Sequence, residues 1–166
     1  NGHTEQHQAL EAALCRFTGY ERALTFSTGY MANMGVISAL IGKGDAIYQD
    51  KLNHASLLDG AVMSGARQYR YRHCQPHHLA TRLDNSPHTH QLIATDGVFS
   101  MDGDIAPLPD IVQLAEQYNA FVMVDDAHAS GVLGKNGAGS TSHFNLYGRV
   151  DIQLGTLSKA LGVVGG

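Results

Sequence analysis

Tryptophan is absent from this 166-residue chain, and only two cysteines and four prolines occur in it. Two thiols, Cys15 and Cys74, cannot make a disulfide framework for a chain this long, so a small stapled scaffold is excluded. Both are expected to be reduced thiols in a cytoplasmic protein. Charge is also sparse: 11 basic against 15 acidic residues give a formal net charge of −4. A nucleic-acid surface needs a basic stripe, and this balance argues against one. No apolar run reaches membrane-spanning length, and no signal-peptide pattern is present. No nucleic-acid or membrane partner is expected.

Glycine is abundant instead, with 19 residues. The glycines follow no fixed period, so collagen-like and solenoid folds are excluded. They gather where apolar runs end. Those runs alternate with helical patterns along the whole chain. "TEQHQALEAALCRFT" places Leu10, Leu14 and Phe17 at helical spacing and stops at Gly19. "RALTFS" reads as a short strand, residues 30–41 as a helix, and 45–49 as a strand. "HASLLDGAVMSG" reads as a helix, "RQYRYR" as a strand, and 76–84 as a helix with Pro76 in its first turn. Strands at 91–95, 121–126 and 150–156 follow, with a helix over "LPDIVQLAEQYN" between the first two. Such alternation, with strands at 91–95 and 121–124 apolar on both faces, predicts an α/β fold. Its mostly parallel central sheet is flanked by helices. No linker divides the chain, so residues 1–166 form a single domain. The first residue is not Met and the last stretch is apolar and glycine-rich, so a piece of a longer protein is expected.

In open parallel sheets, ligands bind at the carboxyl ends of the strands. Polar residues recur at those ends. In "STGYMAN", Gly29 and Tyr30 offer backbone N–H groups at a helix start, which suits an anion such as phosphate; the plain alternative is a helix cap by Ser27 or Thr28. In "VMVDDAHASG", Asp125 ends a buried strand, where a carboxylate is costly unless it meets a cation such as a protonated ring nitrogen. His128 follows three residues later. His54, in "LNHASLLDG", is flat and can stack on a planar ring, although a lone His there is more often a helix-start residue. Thr156 precedes Lys159 by three residues, and Lys159 sits alone among small and apolar residues. Burial there would lower its pKa and free the amine for chemistry.

A rival set lies in "HCQPHH". His73, Cys74, His77 and His78 could make a non-catalytic metal- or ligand-binding module. Their spacing matches no closed zinc motif, so no metal is expected. "GVLGKNGAG" lacks the strand-to-helix context of a dinucleotide fingerprint, and no phosphate loop of the Walker type occurs.

Four motifs in order, "LNHASLLDG", "TDGVFSMDGDIAPL", "VMVDDAHASGVLG" and "GTLSKALG", closely resemble the α-oxoamine synthases, a branch of the fold-type-I pyridoxal-phosphate enzymes. The resemblance implies the large, cofactor-binding domain of such an enzyme, without its N-terminal segment and C-terminal domain. It implies pyridoxal 5'-phosphate as cofactor. Lys159 would hold it covalently and move protons, Asp125 would pair with the ring nitrogen, and His54 would stack on the ring. Ser100 and His128 would contact the region of the ring oxygen. Gly29, Tyr30 and Thr156 would hold the phosphate. Catalysis is expected from Lys159, His54 and Asp125. Within the family, the Gly29–Tyr30 pair after the strand points to members that condense L-alanine with a pimeloyl thioester of coenzyme A or a carrier protein, in biotin biosynthesis. Members using glycine or serine with another acyl-CoA are the alternative. A homodimer is implied as well.

Overall fold

The structure is a computed structural model and describes residues 2–166. Five strands form one sheet: β1 (Ala46–Asp50), β2 (Arg67–Tyr71), β3 (Gln91–Asp96), β4 (Phe121–Asp125) and β5 (Ile152–Leu154). Their order is β2-β1-β3-β4-β5, and every neighbouring pair is parallel. The expected parallel α/β sheet is therefore present, with the charged β2 on one edge. Every residue of β1 and β3 is buried; in β3 this matches the two-sided apolar run in its sequence, whereas β1 buries Gln49 and Asp50 as well.

Six α-helices surround the sheet: α1 (Glu5–Thr18), α2 (Gly29–Leu40), α3 (Ala55–Ser64), α4 (Pro76–Asp84), α5 (Leu108–Tyr118) and the short α6 (Ser140–His143). Strand side chains alternate between faces. Ile47, Leu92, Ala94 and Met123 pack with Ala32, Ile37, Leu57 and Ala61 of α2 and α3. Ala46, Tyr48, Ile93, Val122 and Val124 pack with Leu79, Leu83, Ile111 and Val112 of α4 and α5. The chain leaves β1 for β2 in one direction and returns past β1 to β3 in the other. Right-handed crossovers then put α3 and α4 on opposite faces, as observed. Each fully buried Leu or Ile contributes about 1.5–3 kcal/mol, and together these two layers outweigh the weak helix propensity of segments rich in Gly, Ser and Asn.

One of the expected strands needs correction. "RALTFS" forms no strand. Its backbone pairs only at Phe26, which exchanges two hydrogen bonds with Gly166 at 2.8 and 3.1 Å, and one reciprocal pair does not make a ladder. α1 is helical as expected, but none of its residues is buried and Leu10 is 39% exposed. Leu14 and Phe17 instead line an open apolar cavity of about 430 Å³ beneath the helix.

α2 and α3 cross closely. A Cβ on Gly60 would lie 3.0 Å from Ile37 Cδ1 and 3.2 Å from the carbonyl oxygen of Asn33. Overpacking of this kind costs about 1–3 kcal/mol. Gly60→Val in the intact protein is therefore expected to lower the denaturation midpoint, with an unfolding free energy reduced by about 1–3 kcal/mol. An unchanged midpoint would show that the two helices can separate freely.

Candidate active site

The strand order reverses at β1, so the loops after β1 and β3 diverge and open a crevice at the carboxyl ends of the strands. A cavity of about 180 Å³ lies there. All eight expected site residues line it: Gly29, Tyr30, His54, Ser100, Asp125, His128, Thr156 and Lys159. They arrive from five separate segments, each at the end of a strand or the start of a helix.

Asp125 is 4% exposed at the end of β4. Its Oδ1 accepts the Ala127 N–H at 3.0 Å and its Oδ2 accepts from Asn33 Nδ2 at 2.6 Å. Among the described residues no cation pairs with it. Thr28 caps α2, accepting the Met31 N–H on its side chain at 3.1 Å and the Ala32 N–H on its carbonyl at 3.0 Å. The cap and the anion cradle therefore coexist, because the Gly29 and Tyr30 N–H groups have no acceptor among the described residues. Next to them lies Thr156, whose Oγ1 is 2.9 Å from Ser158 Oγ. Two free N–H groups and two hydroxyls suit a phosphate. A buried carboxylate lacking a cation suits a protonated ring nitrogen. On these donors and acceptors, the residues fit the cofactor that the sequence resemblance implies.

His54 caps α3. Its backbone N–H donates to Asp96 Oδ2 at 2.7 Å, and its exposed ring meets the Tyr30 ring edge-on at 6.1 Å. The Tyr30 hydroxyl donates to Asp59. Ser100 is exposed on the loop after β3. His128 is held below its ordinary pKa by burial first and then by the positive charge of Lys159. Lys159 differs from expectation in one respect. It is exposed, on a loop that no described helix or strand covers, so burial is not what isolates its amine. Its charge nevertheless reaches the crevice, where it also acts on Asp96.

Three residues at the site were not singled out by sequence. Asn33 lies one helical turn after Gly29, on the same face of α2. Ser56 lies two residues after His54. Asp96 is the register partner of Asp125 on the neighbouring strand. Burial, and next the charge of Asp125, push Asp96 up to about 7 against the opposing pull of the His54 N–H.

The rival cluster assembles differently from "HCQPHH". Asp50, His73 and Cys74 converge, whereas His77 is exposed and His78 Nδ1 accepts the Arg72 N–H at 3.0 Å. The buried Asp50 already accepts from Leu52 and Cys74 N–H, each at 2.8 Å, and from His73 Nδ1 at 2.9 Å. His73 Nε2 meets Asp104, and its ring contacts Phe99 edge-on at 4.4 Å. Burial alone would lower the His73 pKa; the hydrogen bonds to Asp104 and Asp50 outweigh it and raise it. An imidazolium between two carboxylates is the arrangement formed. It fastens the loop carrying Ser100 to the end of β1.

The model of the aminotransferase class I and II family matches residues 2–166. 8-Amino-7-oxononanoate synthase of Cellvibrio japonicus is 56% identical over 99% of this chain and 42% of its own length. The enzyme of that name from Methylococcus capsulatus is 55% identical over 99% of this chain and 43% of its own. Among solved structures, a serine palmitoyltransferase from S. paucimobilis with bound PLP and myriocin is 43% identical. It superposes with a TM-score of 0.96 over 100% of this chain and 42% of that one. 8-Amino-7-oxononanoate synthase from Francisella tularensis is 36% identical, with a TM-score of 0.81 over 98% of this chain and 47% of that one. The chain thus spans less than half the length of these relatives.

An acid whose pKa is raised by folding loses stability as pH climbs from its unfolded value near 4 through about 7. Asp96→Asn keeps an oxygen for the His54 N–H and removes the charge. It is expected to stabilise the cofactor-free intact protein by on the order of 1–3 kcal/mol at pH 8 and by almost nothing near pH 4. Chemical denaturation at the two pH values checks this; an equal effect at both would remove the repulsion as its cause.

Proposed function

The chain belongs to the aminotransferase class I and II family, and from that premise we propose that it forms the cofactor site of an 8-amino-7-oxononanoate synthase. The reaction joins L-alanine to a pimeloyl thioester of coenzyme A or a carrier protein, releasing the thiol and carbon dioxide. The observation that carries this reading is the convergence of all eight expected site residues on one crevice, around a buried carboxylate with no paired cation among the described residues.

Pyridoxal phosphate, when bound, supplies an aldehyde that captures an amine and a cationic ring that withdraws electrons from the adjacent carbon. The chain's own groups do the rest. The Gly29 and Tyr30 N–H groups and the Thr156 hydroxyl bind the phosphate. Asp125 keeps a proton on the ring nitrogen, and the exposed face of His54 stacks on the ring. Ser100 and His128 hold the oxygen beside the aldehyde carbon. Lys159 would hold the cofactor through its amine and, once that amine is free, would move the substrate's α-proton. Its exposure leaves the amine within reach of an incoming amino acid. A homodimer, with L-alanine and the thioester as the small-molecule partners, belongs to the same reading. No helix among the described residues is long and apolar enough to cross a membrane.

The serine palmitoyltransferase likeness supports a second reading, condensation of serine with a longer acyl thioester. The first reading is favoured by the 55–56% identity of the Cellvibrio and Methylococcus oxononanoate synthases, against 43% for the palmitoyltransferase, although the Francisella enzyme shares 36%.

Borohydride reduction of the intact protein loaded with pyridoxal phosphate is expected to leave a pyridoxyl group on Lys159. Lys159→Ala should show none and should lose about a thousand-fold or more in condensation rate, since attachment and proton transfer go together. A pyridoxyl group on another lysine would overturn the assignment. Turnover of serine but not L-alanine would move the substrate and keep the site.

A further inference from the structure

The motifs explain Asp125 and His54 separately. The structure joins them through a residue no motif named. Asn33 is 1% exposed, between α2 and the sheet. Its Nδ2 donates to Asp125 Oδ2 at 2.6 Å and to Ser56 Oγ at 2.8 Å. Ser56 Oγ lies 2.7 Å from His54 Nδ1, which also accepts the Ser56 N–H at 3.3 Å.

The directions in this chain follow from donor counting. A flipped Asn33 amide would set a carbonyl oxygen against the Asp125 carboxylate, so the nitrogen must face it. Ser56 Oγ accepts from that nitrogen and has its own proton left to give. That proton goes to His54 Nδ1 at 2.7 Å, the shorter of the two contacts Nδ1 accepts, which leaves the His54 proton on Nε2. Asn33 Oδ1 is left buried with no partner among the described residues. A buried orphan acceptor costs stability, and an amide chosen only for packing would not carry one. The helix crossing at Gly60 supplies the geometry, since Asn33 and Ser56 each lie one turn before the Ile37–Gly60 contact.

We propose that Asn33 is a positioning residue: one amide aims Asp125 Oδ2 and, through Ser56, fixes the tautomer and ring orientation of His54. The two groups expected to grip a planar cofactor, at its ring nitrogen and on its face, are thereby set relative to each other before the cofactor binds. The role rests on the cofactor reading above, but the arrangement does not, because it exists in the protein alone.

The test uses two variants of the intact protein. Asn33→Leu removes both hydrogen bonds, and Ser56→Ala removes only the arm to His54. With the protein free of cofactor, nitrogen NMR of labelled histidine is expected to show a single Nε2–H tautomer for His54. Both variants end the directed Ser56 hydroxyl donation and leave Nδ1 only the longer N–H of residue 56, so a measurable share of the Nδ1–H tautomer should appear. With pyridoxal 5'-phosphate added, the dissociation constant should rise about tenfold in Asn33→Leu and less in Ser56→Ala. A merely structural Asn33 would lower thermal stability and leave the tautomer unmoved, and that result overturns the proposal. If Asn33→Leu does not fold, Ser56→Ala decides by the same tautomer reading. Failure of the unsubstituted protein to bind pyridoxal 5'-phosphate would overturn the proposed function, and the cofactor-free tautomer would still decide the role of Asn33.

Discussion

A carboxylate taken out of water at the end of an apolar strand is costly unless it is hydrogen-bonded or paired. Asp125 is in that position, and much of what surrounds it limits the cost. The Ala127 N–H and the Asn33 amide each neutralise part of the charge. Two more buried carboxylates stand beside it. Asp96 is its register partner on β3, and Asp126 follows it in sequence. Both are pushed up in pKa, Asp96 to about 7 and Asp126 to about 6, by burial above all. Ser140 offsets part of this for Asp126, donating both its N–H and its hydroxyl. Of these, Asp96 and Asp125 line the crevice, so a cation arriving there meets two neighbouring carboxylates held out of water. Sites organised in this way bind charge without having to reorganise around it.

The same economy holds around the crevice. Asp50, His73 and Asp104 tie the ends of β1 and β2 to the loop after β3 through one imidazolium. Phe99 covers the edge of that ring, and Ser100 follows Phe99 directly. Part of the crevice, with Ser100, His128 and Lys159, is thus carried on loops, as is common for functional residues, while Asp96, Asp125 and Asn33 sit on β3, β4 and α2. Here, however, the loops are fastened to one another.

Much of this was legible in the sequence. The two-sided apolar runs at β3 and β4 marked a parallel sheet. Gly19, Pro76 and the helical spacing of "LPDIVQLAEQYN" marked helix limits. The eight expected residues that line the crevice were legible because polar groups in such sheets collect at strand ends, and because four ordered motifs carried six of them. The rest depended on proximity across the fold. Asp96 is unusual only because β3 and β4 pair in register, which no local pattern states. Asn33 had a signal, its place one turn beyond Gly29, but its partners lie 23 and 92 residues away. "RALTFS" has strand composition and lacks the neighbour that would make it one. α6 has four residues, too few for a helical period. Lys159 looked buried because its neighbours are apolar, yet Leu161, Val163 and Val164 are themselves exposed.

The two adjacent aspartates at the end of β4 look interchangeable in sequence, and the fold makes them opposites. Asp125 faces the crevice. Asp126 faces Ser140, wedged where a Cβ on Gly97 or Gly139 would come within 2.2 and 2.1 Å of its oxygens. Strand side chains alternate, so a slip of one residue turns each aspartate to the other face. In one direction Asp126 takes the crevice position and Ala127 the wedge; in the other Val124 takes the crevice and Asp125 the wedge. Only one alignment of β4 gives the amide of Asn33 and the hydroxyl of Ser140 a carboxylate each. The adjacent aspartates thus act as a register lock on the strand that carries the site.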